Sequence, residues 1–186
     1  MNIQRNILDE LQQWQARKQR KPLILQGARQ TGKTWAMRAF GKQCFKYTAE
    51  FNFDRTNELS EIFDRTKDVR RILKELALFT NVPIIPGQTL MIFDEIQECG
   101  GALNSLKYFC EDAPEYHIVA AGSLLGVSMR NKKMTVPVGK VEMLYMKPVS
   151  FQEFIQTTDN NTCDFVQNIS KIEPFPAIIF NRLREE

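Results

Sequence analysis

The sequence predicts a three-layer α/β fold built on a mainly parallel sheet, and three observations support it. Apolar runs of strand length, Leu23-Ile24-Leu25, Leu90-Met91-Ile92-Phe93 and Ile118-Val119-Ala120-Ala121, alternate with segments whose apolar residues recur at helical spacing. Each run is apolar throughout rather than alternating, as strands are when helices cover both faces of their sheet. Just past the carboxyl end of each run stands a polar signal: Gly27 to Thr34, Asp94-Glu95 and Ser123. Ligands of such sheets bind at that edge.

The elements follow in order. Ile3, Ile7, Leu8, Leu11 and Trp14 predict an amphipathic helix over 3–19, which Pro22 ends before the first strand. Trp35, Ala36, Ala39 and Phe40 predict a short helix stopping near Gly41. In 45–53 the alternation of Phe51 and Phe53 with polar neighbours predicts a second strand near a sheet edge. Leu59, Ile62, Phe63, Val69, Ile72, Leu73, Leu76 and Phe79 predict two helices broken near Lys67-Asp68. A loop at Pro83, Pro86 and Gly87 precedes the next buried strand. Ala102, Leu103, Leu106 and Phe109 predict a further helix ending near Pro114. Beyond Phe154 the pattern weakens, and the polar run Thr157 to Thr162 sets a boundary near residue 157. Residues 1–157 then form one domain, and 158–186 a polar linker and the start of another.

Composition narrows the class of protein. With 43% hydrophobic and 25% charged residues among 186, the chain can bury a sizeable core. No apolar run approaches the roughly 18 residues of a membrane span, and Met1-Asn2-Ile3-Gln4-Arg5 lacks the apolar core of a signal peptide. The expected location is the cytoplasm. A net charge of +3 does not argue for nucleic acid or a membrane surface, and the cluster Arg17-Lys18-Gln19-Arg20-Lys21 reads as a solvated helix end before it reads as a binding patch. Cys44, Cys99, Cys110 and Cys163 lack C-x-x-C spacing and read as packed, reduced thiols. His117, the single histidine, supports neither a zinc site nor a Ser/His triad.

Gly27-Ala28-Arg29-Gln30-Thr31-Gly32-Lys33-Thr34 fits G-x-x-x-x-G-K-[ST], the phosphate-binding loop, between a predicted strand and a predicted helix. Its glycines let the backbone curl so that successive N–H groups point inward at a helix N-terminus, a nest for phosphate oxygens. In that reading Lys33 bridges the β- and γ-phosphates and Thr34 ligates Mg²⁺. The three-layer fold is then that of a P-loop nucleoside triphosphatase. An apolar strand ending in Asp94-Glu95 fits the Walker B pattern: the aspartate holds the metal and the glutamate polarises the attacking water. Read without the loop, the same pair would be two acids capping the next helix. Ser123 follows the strand expected between the two motif strands. It is either a sensor of the γ-phosphate or part of a plain turn after Gly122. A cation to stabilise transferred charge could come from Arg29, Arg130, Lys140 or a neighbouring subunit.

Taken together, these segments resemble a known family. The loop, Leu90 to Glu98, Leu106 to Gly126, Val136 to Glu142 and Pro148 to Phe154 look like prokaryotic AAA-superfamily ATPases, in order over about residues 3–155. The resemblance implies ATP in place of GTP, with Lys33, Thr34, Asp94 and Glu95 as motif residues and Ser123 at the sensor position. It also implies a following C-terminal domain of unknown function. Pro174 to Glu186 resembles only the entry to it, so the expectation is a shortened member, self-associating or meeting the missing domain in trans.

Three readings follow. The favoured one is Mg²⁺-dependent ATP binding and hydrolysis, with Glu95 as general base, Lys33 and Ser123 on the γ-phosphate, and Thr34 and Asp94 on the metal. The second is a nucleotide-binding module without turnover of its own. A P-loop small-molecule kinase ranks third, because the segment after the third strand holds only Arg130 where a lid would carry several arginines. Guanine selectivity is unsupported, since Asn131-Lys132-Lys133-Met134 lacks the aspartate of Asn-Lys-x-Asp.

Overall fold

The structure, a computed structural model, describes residues 5–122, 136–158, 160–168 and 176–185. Contacts divide the chain into two compact units, Ile7–Pro148 and Met1–Asn6 with Val149–Glu186. The larger begins with α1 (Ile7–Gln15), β1 (Leu23–Gln26), α2 (Lys33–Cys44) and β2 (Tyr47–Asn52). It continues with α3 (Asn57–Arg65), α4 (Val69–Thr80), β3 (Thr89–Asp94), α5 (Gly100–Asp112), β4 (His117–Ala121) and β5 (Glu142–Tyr145). The sheet has the order β2-β3-β4-β1-β5, with all neighbouring pairs parallel.

Side-chain alternation along these buried strands builds the three layers. Ile24, Phe51, Met91, Phe93, Ile118 and Ala120 face one way, under α3, α4 and α5. Leu23, Leu25, Leu90, Ile92, Val119 and Ala121 face the other, under α1 and α2. On the first face Phe93 sits edge-on to Phe51, Phe53, Phe63 and Phe109, with ring centroids 5.6 to 6.3 Å apart. Such pairs add about 0.5–1.5 kcal/mol each beyond area burial. That packing anchors β3, the strand that ends in Asp94.

Four features of α1, α2 and the segment between α1 and β1 depart from the sequence expectation. The first helix spans only Ile7–Gln15 among the described residues, because Trp14 Nε1 donates to Lys21 O at 2.9 Å and folds the chain back. The basic cluster is accordingly more than a solvated end: Arg17 pairs with Glu142, and Arg20 Nη2 donates to Glu115 O at 3.0 Å. In α2, Trp35 is exposed, turned away from the core it was expected to join. Gly41 does not stop that helix, which runs on to Cys44. A Cβ at Gly41 would lie 2.6 Å from Thr48 Oγ1 and 3.0 Å from Thr48 Cγ2, so this glycine lets α2 lie close on the sheet. Gly41→Ala is expected to cost about 1–2 kcal/mol, overpacking outweighing the gain in helix propensity. Adding Thr48→Ala removes both clashing atoms and should recover most of the loss, read as the urea midpoint of single and double variants.

His117, at the start of β4, is buried between Trp14 and Phe45, with ring centroids at 5.9 and 4.9 Å. Arg20 Nη2 lies 3.2 Å from Nδ1, so that nitrogen accepts and the ring is neutral. Burial first, and Arg20 second, push its pKa down to about 4. The unfolded chain therefore binds more protons than the folded one between about pH 6.5 and 4. Stability contributed by the neutral ring is complete above that window and declines as pH falls through it. Urea midpoints of wild type against His117→Phe should diverge across this window alone, the variant lacking that decline.

The smaller unit contains α6 (Phe151–Thr158), α7 (Asn160–Gln167) and α8 (Ala177–Glu185). Ser150 and Glu153 form a capping box at the start of α6. Ser150 N donates to Glu153 Oε2 at 2.8 Å, and Glu153 N donates to Ser150 Oγ at 3.1 Å. Glu153 Oε1 also accepts from Arg5 Nε at 3.2 Å and Asn6 N at 2.9 Å. Burial alone would raise the Glu153 pKa, but these N–H donors and Arg5 hold it below the usual carboxylate value. Among the described residues no helix is long and apolar enough to cross a membrane.

Candidate functional site

Strand register brings the motifs together. Leu25 lies opposite Ala121 and Ala121 opposite Asp94, so the carboxyl ends of β1 and β3 are level with a single strand between them. The strand preceding Ser123 is that intervening strand, as the sequence expected, although Ser123 and Arg130 lie outside the described residues.

Between β1 and α2 the loop takes a shape that ordinary residues resist. Gly32 caps α2 at φ 89°, and Gln30 is left-handed at φ 62°. Gly27 passes under the end of β5. A Cβ there would sit 2.4 Å from Met146 O, whose own N–H donates to Gln26 O at 2.7 Å. Thr31 Oγ1 donates to Ala28 O at 3.0 Å, and Lys33 Nζ donates to Gly27 O at 3.0 Å and Ala28 O at 2.7 Å. The lysine is thus curled over its own loop. Burial pushes its pKa down, against the opposing pull of Glu95 and Asp94.

Asp94 is only 5% exposed, and its Oδ2 accepts from Thr34 Oγ1 at 3.0 Å. Burial pushes its pKa up, while the Thr34 hydroxyl works against that shift. Two hard oxygens side by side, one on a desolvated carboxylate, suit a small divalent cation that takes its remaining ligands from phosphates and water. Among the described residues no group of three or more His, Cys, Asp or Glu side chains converges as a metal cage.

Glu95 follows with φ 51° and ψ 43°, a left-handed conformation unusual for a residue other than glycine, asparagine or aspartate. Strain of this kind costs on the order of 1–3 kcal/mol and clusters at functional sites. Glu95 Oε2 accepts from Gln97 Nε2 at 2.6 Å. An open cavity of about 410 Å³ is lined by Arg29, Gln30, Gly32, Lys33, Thr34 and Glu95, joined by Asp54, Gln97 and Glu98. The last three escaped the sequence reading, although Gln97 stands inside the Asp-Glu-Ile-Gln segment. Of the candidate cations, Arg29 lines this cavity, while Lys140 pairs with Glu111 at 2.8 Å.

A family model described as AAA domain matches residues 19–155. Among solved structures the chain is similar to "the walker-type atpase paby2304 of pyrococcus abyssi", with TM-score 0.57 and 17% identity, over 89% of this chain and 59% of that one. It is also similar to the Pif1 helicase from Candida albicans, at TM-score 0.47 and 15% identity, over 90% of this chain and 44% of that one. The first likeness is one of fold, and this chain spans 59% of that structure's length. No curated protein sequence matches the chain significantly.

Proposed function

This chain belongs to the AAA domain family of P-loop ATPases, and we propose that it binds ATP with Mg²⁺ and hydrolyses it at the cavity between the Gly27–Thr34 loop and Asp94-Glu95. The observation that carries the proposal is the direct hydrogen bond between Thr34 and Asp94, 60 residues apart in the chain, beside a buried lysine and a glutamate that lines the same cavity. The loop N–H groups and Lys33 Nζ would take the β- and γ-phosphates, Lys33 exchanging its bonds to Gly27 O and Ala28 O for phosphate oxygens. Thr34 and Asp94 would hold Mg²⁺, whose charge would offset that of the phosphates.

Glu95 is the general base. The water oxygen forms a bond to the γ-phosphorus as the bond from that phosphorus to the β–γ bridging oxygen breaks. The electron pair leaves on ADP, and a water proton passes to Glu95 and then to solvent. Arg29, lining the same cavity, is the cation we assign to the charge that develops on the leaving oxygens.

The purified chain should release phosphate from ATP in the presence of Mg²⁺, and chelation should stop it. Calorimetric ATP binding with no phosphate release above background would replace this reading with that of a binding module. Absence of ATP binding would remove both.

A further inference from the structure

We infer that Gln97 is a positioning residue for turnover, its carboxamide fixing the Glu95 carboxylate and leaving one oxygen of that carboxylate to act on the substrate. The inference rests on the ATPase reading above and adds a residue that reading does not use.

Gln97 stands in the short 3₁₀ turn Ile96–Glu98 that follows β3, beside the cavity. Its Nε2 donates to Glu95 Oε2 at 2.6 Å and to Glu98 Oε1 at 3.2 Å. Two carboxylate oxygens around one end of the amide settle its orientation, because only the nitrogen has hydrogens to offer them. Both amide hydrogens are therefore spent on acids, one of them held at a distance typical of strong, charge-assisted bonds.

At the other end, Gln97 Oε1 is buried and accepts no hydrogen bond among the described residues. A stranded acceptor of this kind forgoes on the order of 1–3 kcal/mol, so the arrangement is not the one that best satisfies the glutamine itself. What it satisfies is Glu95, which holds a strained left-handed backbone at the same turn. Two unfavourable local choices, an unpaired amide oxygen and a non-glycine residue at φ 51°, meet on one hydrogen bond.

The consequence is selective. With Oε2 engaged by Gln97, the other oxygen of Glu95 remains to take the proton of the attacking water. The amide also lies between the negative charges of Glu95 and Glu98. A base misplaced by about 1 Å can lose on the order of 100-fold in rate. Gln97 need not touch ATP to matter.

Gln97→Met removes both ends of the amide at similar side-chain volume. In steady-state ATP hydrolysis it should lower kcat by about 10- to 100-fold with KM for ATP within about threefold. The melting temperature should hold or rise, because the stranded acceptor is gone. In a Glu95→Gln background the same substitution should lower kcat no further, since Gln97 acts through Glu95. Wild-type turnover matched by Gln97→Met overturns this inference and leaves the ATPase reading intact. So does a parallel fall in kcat, ATP binding and melting temperature, or a full additional loss in the Glu95→Gln background. Wild-type chain that releases no phosphate overturns both.

Discussion

Glu95→Gln is expected to lower ATP turnover by about 10²- to 10⁴-fold, the usual contribution of a general base, while ATP affinity stays within about threefold. The amide keeps the side chain's size and can still occupy the turn after β3, but it cannot accept the water's proton. Lys33→Ala should give the opposite pattern, with ATP affinity falling by about 10- to 100-fold as a charge-assisted contact to phosphate is lost. The contrast separates chemistry from binding. Phosphate release at saturating ATP, paired with calorimetric titration of each variant, reads it directly. Equal turnover in wild type and Glu95→Gln would remove Glu95 from the reaction, and unchanged affinity in Lys33→Ala would remove the lysine from the phosphate site.

Gly27→Ala is expected to destabilise the protein by about 2–4 kcal/mol and to abolish ATP binding at concentrations that saturate wild type. The new Cβ would overlap Met146 O at 2.4 Å, closer than any real contact of that kind. Neither side can yield easily. Met146 N donates to Gln26 O at 2.7 Å, and β5 lies in register along β1 from Leu23 to Gln26. Moving Met146 therefore pulls on the strand pairing, and moving Gly27 reshapes the loop. Gly87→Ala is the control, because Gly87 also has a positive φ, 72° against 156° at Gly27, yet a Cβ there meets nothing within 4 Å. That variant should lose only about 1 kcal/mol and keep full ATP affinity. Thermal melts and ATP titrations of the two variants decide the matter. A Gly27→Ala protein as stable and as tight-binding as wild type would show that the loop does not need this close approach.

The central strands and both motifs were legible because the physics that places them is local or periodic. Ile92 and Phe93 must be apolar to sit between two helical layers, and the glycines of the loop must be glycines to turn. The break between α3 and α4 was legible for the same reason, since charged Lys67-Asp68 interrupts the helical spacing and Asp68 caps α4 by accepting from Arg70 N. β5 was not. Glu142-Met143-Leu144-Tyr145 is an edge strand that, among the described residues, pairs with β1 alone, with Met143 and Tyr145 exposed, so it carries no buried run to announce it. Gly41 was misread because a glycine that ends a helix and one that lets a helix lie close to a sheet look alike until Thr48 is placed against it. Gln97 was passed over because its importance lies in which atoms of its amide are used, and only packing decides that.

The sequence by itself determined a parallel α/β fold, a glycine-bearing loop of phosphate-loop pattern at a helix N-terminus, and an acidic pair at the end of a buried strand. Each follows from residue types acting over a few neighbours. The tertiary structure alone decided that Thr34 meets Asp94, that the end of β5 closes over Gly27, and that Gln97 Nε2 donates to Glu95 while Gln97 Oε1 accepts no hydrogen bond among the described residues. Those are contacts between segments distant in the chain, or choices between two ends of one side chain. Strand register and close packing select them, and neither is written in the spacing of residues along the chain.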